Sequence, residues 1–128
     1  MAIQVVRFGP PRPRDDVLRI GTVRRLPRGV RKDDLARGHF DIWLPELAPS
    51  ALLLSWARQQ PFTAARWHTF ARRYHREMRT PPAQRLLALV AALSARTELA
   101  VGCYCDDESR CHRSLLRDLL RDAGASIG

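Results

Sequence analysis

The chain has 128 residues, 45% of them apolar and 27% charged, with a formal net charge of +9. This length makes one domain with a core that buries about two-thirds of its unfolded surface without staples, and the composition excludes general disorder. No apolar run approaches the ~20 residues of a membrane helix, Met1 to Pro10 is not a secretory signal, and an odd set of three cysteines within nine positions is no extracellular disulfide framework, so a soluble cytoplasmic protein is expected.

In chain order, Ile3 to Phe8 is a β-branched run ended by Gly9-Pro10-Pro11, the signature of a strand. Pro10, Pro11 and Pro13 mark an extended loop. Val17 to Val23 predicts a second strand, and Leu26 to Val30 a loop with turn chemistry. Phe40 to Leu44 is either a short strand or an extended docking segment. Ser50 is placed to cap a helix reaching Arg58, and Thr63 to cap another reaching about Arg79. Trp67, Phe70, Tyr74 and Met78 fall on the inner face of that second helix. Pro81-Pro82 break it, and a helix from about Ala83 to Ala95 follows. Glu98 to Cys105 contains a buried strand, Asp106 to Ser109 a polar loop, and Cys111 to Asp122 a helix with Gly124 as its C-cap. On that last helix Leu115, Leu116, Leu119 and Leu120 point inward, and Arg113, Arg117 and Arg121 outward. Ala125 to Ile127 starts a short final strand. Strands early and late with helices between them predict an α/β fold: a small three-layer, Rossmann-like domain with a parallel or mixed sheet and helices on its faces. Ligands of such sheets bind beyond the carboxyl ends of the strands.

The positive charge lies in two blocks. Residues 1–40 and residues 62–97 carry +6 each, and residues 41–61 and 98–128 carry −1 and −2. A basic face of this kind suits a phosphate-bearing partner. Yet Lys32 is the only lysine among the 22 basic residues, and an arginine bias of that kind also arises from coding composition. Arg72, Arg73 and Arg76 form a patch suited either to phosphates or to plain solvation. Trp43 and Trp56 suit base stacking or, more commonly, core anchoring, and His68 and His75 read as surface residues.

The densest chemistry lies in Cys103-Tyr104-Cys105-Asp106-Asp107-Glu108-Ser109-Arg110-Cys111-His112-Arg113. It joins a strand to the start of a helix, where free backbone N–H groups favour anions and lower a thiol's pKa. The catalytic candidates are therefore His112 as acid or base, Cys111 as nucleophile and Asp106 as acid or base. The ligand-binding candidates are Arg25, Arg28, Arg113 and Cys105, with Arg25 and Arg28 reaching the same edge from the loop after the second strand. Three other readings stand beside this one. In the first, the thiols are core residues and Cys-His-Arg is structural. In the second, Cys103, Cys105, Cys111 and His112 hold zinc, although C-x-C-x5-C-H is an unusual spacing and adjacent helical side chains diverge by about 100°. In the third, the loop after Cys105 does redox or sulfur-transfer chemistry, against which its three acidic residues argue.

Several segments resemble the DUF488 family, including its YeaO-like branch. Val23-Arg24-Arg25-Leu26-Pro27-Arg28-Gly29-Val30 is similar to the family's V-D-R-L-W-P-R-G-V, and Asp41 to Ser50 to its D-x-W-x-x-E-L-A-P-S. Trp67 to Glu77 resembles W-x-x-F-x-x-R-Y-x-x-E, and Cys111-His112-Arg113 matches the C-H-R of the cysteine-bearing members. The resemblance covers about residues 3–122 and implies a Rossmann-like α/β fold. Arg24 stands where the family has Asp, and the Trp before Pro27 is missing. The resemblance supplies no reaction.

The expectation is a phosphate-bearing small molecule or nucleic acid as partner, no membrane and no cofactor. Cleavage of a glycosidic or other hydrolysable bond in that ligand is the enzymatic form of this reading. A binding or interaction module with a structural Cys-His-Arg segment, or a zinc-stabilised domain, is the alternative.

Overall fold

A computed structural model describes residues 2–8, 17–31, 34–35, 39–105 and 110–128. Five strands form one sheet: β1 (Ala2–Arg7), β2 (Leu18–Gly21), β3 (Ile42–Trp43), β4 (Leu99–Cys103) and β5 (Ser126–Ile127). Their order is β3-β2-β4-β1-β5, and every adjacent pair is parallel. The expected α/β class therefore stands, with the sheet parallel rather than mixed. Residues of β4 are buried along its whole length, as a central strand flanked on both sides requires. Gly102 is placed there by necessity: a Cβ would lie 2.1 Å from the Val6 carbonyl oxygen of β1.

Four α-helices connect the strands among the described residues: α1 (Ala51–Arg58), α2 (Ala64–Glu77), α3 (Pro81–Ser94) and α4 (His112–Asp122). The Ser50 hydroxyl accepts from the Leu53 amide at 3.1 Å, and the Thr63 hydroxyl accepts from the Arg66 amide at 3.1 Å. Both caps are thus the ones the sequence predicts. Pro81 and Pro82 do more than end α2. They occupy the first turn of α3, where a missing N–H costs nothing and a fixed φ fits the helix. Gly124 has φ +107° and its amide donates to the Arg121 carbonyl, closing α4.

Leu53, Phe70, Tyr74, Leu87, Val90, Leu116 and Leu120 from the four helices join Ile3, Ile20, Leu99 and Val101 of the sheet in one large core. Each such side chain contributes roughly 1.5–3 kcal/mol of burial. Trp67, Phe70 and Tyr74 stack in series along α2, as their spacing predicts. A smaller cluster of Phe8, Val23, Leu35, Phe40, Ala100, Cys103 and Cys111 packs separately. Three expectations change or fall outside view. Arg113 does not point outward with Arg117 and Arg121; it is 4% exposed. It sits in the first turn of α4, against the end of β4, and helical side chains tilt toward the N-terminus. The Pro10–Pro13 loop and the polar loop 106–109, which includes Asp106, lie outside the described residues. Among those that are described, no helix is long and apolar enough to cross a membrane.

Candidate functional site

Parallel pairing of β2 with β4 brings both carboxyl ends to one edge, with Gly21 opposite Gly102. The chain leaves β2 through Thr22, which is fully buried. Its amide and its hydroxyl both donate to the Gly102 carbonyl, at 2.9 and 3.1 Å. The start of α4 meets this edge. His112 Nε2 lies 2.8 Å from the Thr22 carbonyl oxygen and 3.2 Å from its Oγ1. A carbonyl only accepts, so Nε2 carries the proton and Nδ1 presents its lone pair. That lone pair faces Cys111 Sγ at 3.5 Å, and Cys111 Sγ lies 3.0 Å from Cys103 Sγ. The Tyr74 ring packs edge-on against the imidazole, with centroids 5.7 Å apart.

Cys105 completes a group of three thiols. The neighbouring thiols of Cys103 and Cys111 hold the Cys105 thiol far below the usual range, and His112 and Arg113 add to this while burial opposes it. Cys103 is pushed far up by the neighbouring thiols of Cys105 and Cys111 and by burial. Cys111 is also raised: its bond with Cys103 pulls it down, but the nearby Cys105 thiol and burial outweigh that. Burial lowers His112 to about 4, so its imidazole is neutral at physiological pH. Burial also pushes Tyr104 to about 12 and raises Tyr74 further. Arg113 donates from Nη2 to the Cys105 carbonyl at 2.7 Å, and its buried Nε has no hydrogen-bond partner among the described residues.

A cleft of about 630 Å³ opens beside this cluster. Its walls are Val23, Arg24 and Arg25 after β2, Leu54, Ser55 and Arg58 of α1, and Cys103 to Cys105 with His112. A smaller hollow of about 290 Å³ continues past Trp56, Phe62 and Trp67 to Cys111 and Arg110. Leu54, Arg58, Cys105 and His112 line both. Of the residues chosen from sequence, the fold thus brings Arg25, Cys105 and His112 to the cleft and Cys111 to the adjoining hollow. Arg113 lies behind Cys105 with its guanidinium turned to the backbone. Arg28 is exposed and is not among the residues lining either space. Asp106 lies outside the described residues.

Sequence reasoning missed Arg58 and Thr22, which no motif marks. It noted Arg24 only as a departure. Arg24 donates to the Pro49 and Ala48 carbonyls at 2.9 and 3.1 Å, so it ties the loop after β2 to the start of α1. Trp43 is anchored by its indole N–H on the Val23 carbonyl at 2.7 Å. Over the Trp56 ring lie the guanidinium groups of Arg66 and Arg73. Cys103, Cys111 and His112 have the donor types and the proximity to hold a metal ion, their ligand atoms lying within 4.8 Å of one another.

An uncharacterized protein of Mycobacterium bovis and two uncharacterized proteins of Mycobacterium tuberculosis strains are each 34% identical to the chain over 106 residues, spanning 83% of this chain and 82% of theirs. No solved structure matches. The family model described as the active DUF488-N3 subclade matches residues 3–124. With that match over nearly its whole length, the chain belongs to the DUF488 family, in the DUF488-N3 subclade.

Proposed function

We propose that this protein binds a phosphate-bearing ligand, a nucleotide or a segment of nucleic acid, in the cleft between the loop after β2, the C-terminal part of α1 and the Cys-His end of the sheet. The observation that carries the reading is that two exposed arginines, Arg25 and Arg58, line a cleft of about 630 Å³. That volume lies within the range of small-ligand sites, about 300–1,000 Å³. The position beyond the carboxyl ends of parallel strands is where α/β sheets take their ligands. The chain's net charge of +9 draws anions to it.

Cleavage of a glycosidic or other hydrolysable bond in the ligand is the enzymatic form of this proposal. Asp106 is then the candidate acid or base, because His112 has committed its Nε2 proton to Thr22 and turns Nδ1 toward Cys111. A second reading, a binding module without turnover, is favoured by that same commitment and by the Arg113 bond to the Cys105 carbonyl.

The test is a titration with mononucleotides and short DNA across a salt series, paired with chromatography for cleaved product. Arg25→Ala and Arg58→Ala are each expected to weaken binding about tenfold, or about 1.4 kcal/mol, and to flatten the salt dependence. Loss on Arg72→Ala or Arg76→Ala, with Arg25→Ala silent, moves the ligand to the face of α2 and overturns the cleft. Product formation decides between enzyme and module.

A further inference from the structure

We propose that Cys103, Cys105, Cys111 and His112 form a four-coordinate Cys3His zinc site at the corner where β2 and β4 meet the start of α4. The cleft reading neither requires this site nor supplies it.

The first observation is the donor set. One ligand atom from each of Cys103, Cys111 and His112 lies within 4.8 Å of the others, and all three residues are buried. Cys105 lies outside that buried group and is exposed, but it is two residues beyond Cys103 and lines the same cleft as Cys103 and His112, so its thiol supplies the fourth donor by turning inward. Three sulfurs and one imidazole nitrogen are a recognised structural zinc set.

The second observation is the histidine. Its Nε2–H is held by the Thr22 carbonyl at 2.8 Å, which fixes the tautomer and aims the Nδ1 lone pair at the sulfurs. Ligating histidines are oriented in this way, by a backbone carbonyl or carboxylate on the far ring nitrogen. Thr22 is therefore a positioning residue.

The third observation is edge length. With Zn–S near 2.3 Å and Zn–N near 2.0 Å, a tetrahedral site has S–S edges of about 3.8 Å and S–N edges of about 3.5 Å. The Cys111 Sγ to His112 Nδ1 distance is 3.5 Å. The Cys103 to Cys111 sulfur separation is 3.0 Å, so those two sulfurs would part by about 0.8 Å around an ion of this size.

The 100° divergence of adjacent helical side chains does not apply to Cys111 and His112. Cys111 is the N-cap of α4, with φ −125° and ψ 148°. Extended backbone at the cap turns its side chain away from the helical direction and toward Cys103. Thiols are weak hydrogen-bond partners for one another, whereas thiolates and imidazole are preferred ligands of zinc. On binding, Zn²⁺ takes the place of the remaining thiol protons, which pass to the solvent, and no electron is transferred.

The experiment is metal analysis of the full chain purified under reducing conditions with zinc in the medium, followed by Co²⁺ substitution. One zinc per chain is expected, with the intense visible absorption of tetrahedral cobalt–thiolate coordination. Cys103→Ser and Cys111→Ser are expected to lose the metal. Both positions are buried, so the exposed Cys105→Ala variant is measured as well, by competition with a chromophoric chelator. It is expected to bind Zn²⁺ at least tenfold more weakly while staying folded by circular dichroism. Wild-type protein with three titratable thiols, less than a tenth of an equivalent of zinc and a melting midpoint unmoved by added Zn²⁺ overturns the proposal. A Cys103–Cys111 disulfide in metal-free protein overturns it too. Arg25→Ala is expected to keep its zinc, so failure of the metal site and failure of the phosphate cleft are separately visible.

Discussion

Where α1, α2 and α3 pack on the sheet, Tyr74 gives its hydroxyl to the Leu47 carbonyl at 2.8 Å, and the Glu77 carboxylate accepts from both the amide and the hydroxyl of Ser50. His75 Nε2 is the exception, buried without a partner among the described residues. At the corner of β2, β4 and α4 the balance differs. The Cys103 and Cys111 thiols have chiefly each other, and Arg113 buries an Nε that nothing described there accepts. The first region uses its polar groups to fix helices in place. The second turns its polar groups toward one another and toward the cleft instead of across helix seams.

Substitutions can break this division. The largest effect is expected from Leu87→Ala in α3, where Leu87 is 2% exposed. Urea unfolding should show a loss of about 2–5 kcal/mol, while nucleotide and zinc affinities of the folded protein stay within twofold. A larger change in affinity would mean that the two regions are coupled. Tyr74→Phe comes next. It keeps the ring against His112 and strands the Leu47 carbonyl, so a loss of about 1–3 kcal/mol is expected by the same measurement. The smallest is Arg113→Met, which removes a buried cation at similar volume. Stability within about 1 kcal/mol of wild type, or above it, is expected. A loss beyond about 3 kcal/mol would show that the guanidinium holds the corner together.

The first region was legible in the sequence because its signals are local. Ser50, Thr63 and Gly124 are cap residues at cap positions, and Trp67, Phe70, Tyr74 and Met78 repeat with the helix. Much of the second region was legible as well: Cys105, Cys111 and His112 were picked out by their place between a strand and a helix. What escaped depends on contacts between distant segments. Thr22 and Gly102 meet across 80 residues, and Thr22 is otherwise an ordinary strand-end residue. Arg113 followed the outward stripe of Arg117 and Arg121, and periodicity has no term for a first turn covered by a strand end. Arg58 carries no pattern beyond its charge. Arg28 shares a loop with Arg25, but adjacency in sequence did not carry it into the cleft.

The placement of Cys103 sets a mechanical asymmetry. β4 is bonded on one flank to β1 and on the other to β2, with Arg7 paired to Cys103 and the Phe8 amide on the Cys103 carbonyl at 2.8 Å. Shifting that sulfur's backbone would strain the ladder to β1, one residue from the end of the ladder to β2. Cys111 stands at a helix cap, outside any ladder. The pair works like a vice with one fixed jaw and one adjustable jaw, so any widening of the grip falls on the cap of α4 and leaves the sheet at rest.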